Sequence, residues 1–129
     1  MHKDTLIISS RIEEIPNVYE WIEIHLNESI NKKQRNSILL ITQEIVTNAI
    51  FHGNEEIESK KIIISFSNNE DNIVISIQDE GKGYPPLPNK EEAQKLDYLS
   101  EGSRGLKLAV LMCKSIEINK NLITLTFEK

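Results

Sequence analysis

The sequence predicts an α+β fold: a two-layer sandwich with a mixed, mainly antiparallel sheet and three helices packed on one face. Three observations predict it. Apolar residues recur with helical spacing in two stretches of the N-terminal half. They then alternate with a period of two across residues 62–77. A glycine-flanked helix and a second hairpin follow. The order is β-α-α-β-β-loop-α-β-β. At 129 residues the chain has the length of one domain, expected to span 1–129. A chain of this size buries roughly two-thirds of the surface its unfolded form exposes.

Thr5 to Ser9 is a short β-prone run, and Pro16 stands where a helix begins. Val18, Ile22, Leu26 and Ile30 then recur every four residues with Trp21 beside them, which predicts an amphipathic helix. Asn31 to Lys33 reads as a connection. A second helix is predicted from about Gln34 to Phe51. Its apolar residues Ile38, Leu39, Ile41, Ile45, Val46, Ala49 and Ile50 are too widely spread for one stripe, so it is the central, most buried helix. His52-Gly53-Asn54 ends it, with glycine as the stop residue. Glu55 to Lys60 is a polar loop. Ile62, Ile64 and Phe66, a turn at residues 68–71, and Ile73, Ile75 and Ile77 predict a β-hairpin. Asp79 keeps the parity of the three isoleucines and is expected to point inward with them. Gly81 to Pro86 breaks regular structure, and residues 87–101 are read as a long mobile loop. A third helix starts at Gly105, and a final hairpin turns at Asn119-Lys120-Asn121.

Composition excludes several classes of function. The chain is 39% hydrophobic and 27% charged, with 5 Gly and 4 Pro, which is globular rather than disordered or low-complexity. Its 15 Lys+Arg against 20 Asp+Glu give a net charge of -5, so no global basic field draws in nucleic acid. The lone Cys113 has no partner for an internal disulfide, and no Cys/His set has zinc-site spacing. The first fifteen residues do not read as a signal peptide, and no apolar run approaches the ~20 residues that span a bilayer. A soluble, cytoplasmic domain that does not act on membranes is expected.

Three local patterns carry chemistry. Glu44 and Asn48 are polar residues four apart in a greasy helix, hence one turn apart on one face. They fit half of a hard-cation site, and equally the exposed strip of an amphipathic helix that also carries Gln43 and Thr47. Asp79, a carboxylate with inward parity, is followed by Gly81 and Gly83, which permit close approach of a ligand; the same residues also suit a plain turn. Gly102-Ser103-Arg104-Gly105 precedes a helix, where backbone amides and an arginine suit an anion, or simply a flexible loop entering a helix. The G-x-x-x-x-G-K-S/T pattern of P-loop proteins is absent, as is G-x-G-x-x-G after the first strand.

In combination and in this order, the three patterns resemble the GHKL ATPase superfamily with its Bergerat ATP-binding fold. Glu44-Ile45-Val46-Thr47-Asn48-Ala49-Ile50-Phe51-His52-Gly53 looks like the N box, Asp79-Glu80-Gly81-Lys82-Gly83 like the first glycine box and Gly102-Ser103-Arg104-Gly105-Leu106 like the second. The length and the Asn-Ala-x-x-His-Gly form of the N box are similar to the RsbW/SpoIIAB-type anti-sigma-factor serine/threonine kinases. Tyr84-Pro85-Pro86 and Pro88 are departures that stiffen the first part of the expected lid, and Arg104 stands where many histidine kinases have a small residue.

That resemblance implies ATP and Mg2+ as cofactors. Asn48 would hold Mg2+, and Asp79 would accept from the adenine amino group. Gly81 and Gly83 would line the adenine and the lid hinge. Gly102, Ser103, Arg104, Gly105 and Leu106 would wrap the phosphates. Residues of about 84–101 would form the ATP lid, and Glu44 would be the general base toward a partner's serine or threonine hydroxyl. The implied function is a protein kinase acting on a STAS-type anti-sigma-factor antagonist, with a sigma factor as a further partner and a homodimer as the assembly. Two alternatives share the boxes: a non-catalytic, ATP-responsive module that sequesters a partner, and a detached histidine-kinase catalytic domain. His52 is read as a histidine at the helix's C-terminal end, His25 as an exposed surface histidine, and Trp21 and the last helix as core.

Overall fold

The computed structural model describes residues 2–26, 30–83 and 104–129. The segment expected as the lid, about 84–101, lies outside the described residues, as do Gly102 and Ser103. Along the chain come β1 (His2–Ser9), a 3-10 turn (Ile12–Glu14), α1 (Ile15–His25) and α2 (Lys32–Asn48), which continues into a π-helical turn (Ala49–Gly53). Then come β2 (Lys61–Asn68), β3 (Asn72–Gln78), α3 (Arg104–Met112), β4 (Ser115–Asn119) and β5 (Leu122–Glu128).

The strands form a sheet in the order β1-β2-β3-β5-β4, and each neighbouring pair is antiparallel. The expected α+β sandwich is present, and its sheet is antiparallel throughout the described residues. Two hairpins, β2–β3 and β4–β5, account for half of the pairings. Register aligns the inward residues: Ile64 faces Ile77 and Phe66 faces Ile75, while Ile77, Ile75 and Ile73 face Ile123, Leu125 and Phe127. All of these are buried. The opposite face carries Thr5, Ser65, Ser76, Thr124 and Glu117 across the strands. One face is apolar and buried, and the other, with this polar row and the exposed Ile7 and Ile63, is not, so the helices cover a single side.

Val18 and Ile22 of α1, Ile38, Leu39, Ile41, Ile45 and Val46 of α2, Ala49 and Ile50 of the π turn, and Ala109 of α3 are buried against the sheet. Each fully buried isoleucine contributes roughly 1.5–3 kcal/mol. The helix starts and stops follow local chemistry. Pro16 sits in the first turn of α1. Asn31 Oδ1 accepts from Gln34 N at 2.8 Å, a side-chain cap that starts α2 at Lys32, ahead of the expected Gln34. α1 ends at His25, although the four-residue row predicted a helix to Ile30. Leu26 and Ile30 are nevertheless buried, so the row reports burial beyond the end of the helix.

His25 is not the exposed surface residue that was expected. Its side chain is 16% exposed; Nε2 lies 2.7 Å from Asp4 Oδ2, Nδ1 lies 2.7 Å from Trp21 O, and the ring packs on Trp21 and Phe66. The end of α1 falls over β1 and β2, which brings the ring onto the sheet. No helix among the described residues is long and apolar enough to cross a membrane.

The sheet has two distinct ends. Ser9, Lys61, Gln78, Leu122 and Asn119 meet at one; Lys3, Asn68, Asn72, Glu128 and Ser115 meet at the other. α2 starts at the second end, where Asn31, Gln34 and Ile38 line a surface cavity with Met112, Phe127 and Glu128. It finishes at the first end, beside Asp79.

Candidate functional site

Asp79 follows β3 and keeps the inward parity of Ile73, Ile75 and Ile77, as the alternation predicted; it is 5% exposed. Its backbone is held by the β4–β5 turn: Asp79 N donates to Asn121 O at 3.2 Å, and Asn121 Nδ2 donates to Asp79 O at 2.6 Å. Gly81 N donates to Asp79 Oδ1 at 2.7 Å. Among the described residues nothing donates to Oδ2. Burial pushes the carboxyl's pKa up, opposed by the Gly81 amide and the charge of Lys60. Oδ2 is thus open to a donor from a ligand.

The π turn brings the chain under this carboxylate. Asn54 N donates to Ala49 O at 2.8 Å, which closes the wider turn at the end of α2. A Cβ on Gly53 would collide with Asp79 Oδ2, and one on Gly81 would collide with Gly53 O. Gly53 was expected as a helix stop, where glycine serves by adopting a left-handed conformation. It has no positive φ; among the described glycines only Gly83 does, at 115°. Gly53 is therefore required by the close approach of two chain segments.

Asn54 and Asn121 were missed by sequence reasoning. Asn54 read as part of a helix stop and Asn121 as part of a turn. Asn54 is fully buried: its Oδ1 accepts from Glu80 N at 2.7 Å, and its Nδ2 donates to Ser10 Oγ at 2.8 Å and to Lys61 O at 3.1 Å. In the sequence Asn54 follows Gly53 and Asn121 closes Asn119-Lys120-Asn121, a signal that turns share.

Glu44 and Asn48 lie one turn apart near the end of α2, and both are half-buried. Gln43 is exposed, and Thr47 Oγ1 donates to Gln43 O at 2.7 Å, so the solvent strip runs along the neighbouring row. Among the described residues no group of three or more His, Cys, Asp or Glu can hold a metal ion. A cation there would receive one or two oxygens from the protein. That donor set fits Mg2+, which keeps waters and takes its remaining ligands from substrate phosphates.

Arg104, Gly105 and Leu106 form the first turn of α3, which starts one residue ahead of the expected Gly105. α3 packs on α2, and its last residue, Met112, borders the cavity at the start of α2; Arg104 is at the opposite end of the helix. His52 is exposed in the π turn. Cys113 is a free, half-buried thiol whose pKa burial pushes up to about 12, which keeps it protonated and poorly nucleophilic at neutral pH.

Anti-sigma F factors of Clostridium perfringens strains SM101, ATCC 13124 and 13 are each 48% identical to this chain over 58 residues, covering 45% of it. The aligned part is 39% of the length of each relative. The family model described as the histidine kinase-like ATPase domain matches residues 8–129. That match takes in the sheet, the helices and all three motif segments, and the chain belongs to the histidine kinase-like ATPase domain (GHKL) family.

Proposed function

We propose that the chain is an ATP-dependent serine/threonine protein kinase and anti-sigma-factor-like regulator. It acts in the cytoplasm as a homodimer, phosphorylates a STAS-type antagonist and binds a sigma factor. The observation that carries this reading is the buried Asp79 carboxylate, with Oδ2 unengaged by the described residues and two glycines pressed around it, in a chain of an ATPase family. The similarity to anti-sigma F factors supports the regulatory role.

In this reading Asp79 Oδ2 accepts from the adenine amino group, and Gly81 and Gly83 give the base room. Asn48 offers its side-chain oxygen to Mg2+, and the ion when bound neutralises charge on the phosphates. Gly102, Ser103, Arg104, Gly105 and Leu106 wrap the phosphates at the start of α3, with residues 84–101 as the lid. Glu44 takes the proton from the antagonist's serine hydroxyl as its oxygen bonds to the γ-phosphorus and ADP leaves. Phosphoryl transfer is mostly positioning and charge neutralisation, so a base, a cation and a donor cradle suffice.

The test is incubation with Mg-ATP and a candidate STAS-domain protein. Acid-stable phosphate on serine or threonine is expected, lost in Glu44→Ala while ATP binding survives. Intact ATP binding with no transfer would identify a sequestering module instead. Acid-labile phosphate would identify a histidine-kinase catalytic domain.

A further inference from the structure

We propose that Asn54 is a positioning residue for base specificity: it fixes the turn that aims Asp79, and so sets discrimination between adenine and guanine. This inference rests on the reading of Asp79 as the adenine acceptor.

Asn54 is fully buried, and its amide is used at both ends. Oδ1 accepts from the amide of Glu80, the residue between Asp79 and Gly81. Nδ2 donates to Ser10 Oγ and to the carbonyl of Lys61, and Ser10 Oγ in turn donates to Lys60 O at 2.7 Å. The orientation of the amide is dictated by these partners. A flipped amide would set N–H against N–H at Glu80 and oxygen against oxygen at Lys61. Four segments are thereby joined: the end of β1, the exit of the π turn, the start of β2 and the turn after β3.

The consequence for Asp79 is geometric. Asn121 holds the Asp79–Glu80 peptide at its carbonyl from the β4–β5 side, and Asn54 holds the same peptide at its N–H from the β2 side. The amide of Gly81 then meets Oδ1, which leaves Oδ2 facing Gly53. Glu80 contributes from its own side chain, which accepts from Lys61 N. Directly after Asn54 the chain runs through two left-handed non-glycine residues, Glu55 at φ 53° and Glu56 at φ 59°. Such residues persist only where surrounding contacts over-determine them. A carboxylate oxygen held rigidly at the base edge accepts from the amino group of adenine and opposes the carbonyl of guanine. A loosely held one rotates and tolerates both.

Stability and specificity separate in the experiment. ATP and GTP affinities are measured by calorimetry on the full chain and its variants, well below each melting transition. Asn54→Ala removes the acceptor for Glu80 N and is expected to lower the ATP-to-GTP affinity ratio by roughly tenfold, the scale of one lost hydrogen bond. Asn54→Asp keeps that acceptor but sets a carboxylate oxygen against Lys61 O; it is expected to be less stable yet to retain the ratio within about twofold. Ser10→Ala, which weakens the same network away from Glu80, is expected to behave likewise. If Asn54→Ala does not fold, Asn54→Ser, too short to reach Glu80 N, is read in its place. An unchanged ratio in Asn54→Ala or Asn54→Ser overturns the proposal. So does an equal fall in Asn54→Asp and Ser10→Ala, which marks a general loss of stability. Asp79→Asn with unchanged ATP affinity overturns the adenine reading itself, a result separate from either.

Discussion

Gly53 lies so close beneath Asp79 that any side chain at 53 would occupy the space of Asp79 Oδ2. The contact joins the end of the central helix to the end of β3, at the point where the resemblance puts base recognition. Gly53→Ala must push the carboxylate aside or lift the π turn. Overpacking of this kind costs typically 1–3 kcal/mol. The expected outcome is a lower urea midpoint together with at least a tenfold weaker ATP affinity, the scale of a misdirected hydrogen bond. Calorimetry and equilibrium unfolding check both, and full ATP affinity in a destabilised variant would separate the contact from binding.

The raised pKa of Asp79 has a direction for stability as well as for binding. Its carboxyl holds a proton more tightly folded than unfolded. Between the ordinary carboxylate value and the raised one, the folded chain therefore binds more protons. Stability must fall as pH rises through that window: the cost of the buried charge is fully present above the raised value and gone below the ordinary one. Under the proposed role of Asp79, nucleotide affinity is expected to move the other way, because an ionised carboxylate would accept from the base and a protonated one is a poorer acceptor. Asp79→Asn is expected to remove this part of the pH slope in unfolding experiments and to weaken ATP binding at neutral pH. A variant with the parental slope would place the titration elsewhere.

Much of this architecture was legible because burial writes a period into the sequence. Ile73, Ile75 and Ile77 gave β3 its face, and the same parity carried Asp79 inward. The row Val18, Ile22, Leu26, Ile30 identified the buried side of α1 but not its end, since side chains beyond a helix also fill the core. The π turn, by contrast, left no trace: Ala49 to Gly53 reads as an ordinary helix end. Gly53 was noticed for its conformational freedom when its lack of a side chain is what the fold uses. Asn54 and Asn121 were invisible because their partners are backbone groups of distant segments. No local pattern encodes a hydrogen bond to an amide 26 positions away.

Asp4 and His25 tie β1, a strand at the edge of the sheet, to the last turn of α1. Nε2 to Oδ2 is 2.7 Å, with the histidine side chain 16% and the aspartate side chain 39% exposed. Partial exposure screens the pair, so a coupling of about 0.5–1 kcal/mol is expected from the cycle of Asp4→Ala, His25→Ala and the double variant. Denaturant unfolding measures it at neutral pH and again in high salt, where the coupling should shrink. A coupling near zero in both would mean that the pair adds nothing to the ring packing on Trp21 and Phe66.

Thr42 is the clearest place to stabilise the chain without approaching the site. It is 1% exposed on the buried side of α2, and its Oγ1 is the buried side-chain polar atom without a hydrogen-bond partner among the described residues. Ile15, Val18, Ile22 and Leu39 line a small cavity with it, together with Tyr19 and Gln43, neither of which bonds to Oγ1. Leaving a hydroxyl unpaired in such surroundings costs about 1–3 kcal/mol. Valine has the same branched shape without the polar atom. Thr42→Val is therefore expected to raise the stability by about 1 kcal/mol, read as a higher urea midpoint at unchanged m-value. ATP affinity should stay at the parental level, because Thr42 faces α1 whereas the proposed site lies at the π-turn end of α2. A lower midpoint would mean that the hydroxyl is satisfied in solution, by a water or by the helix carbonyl one turn earlier.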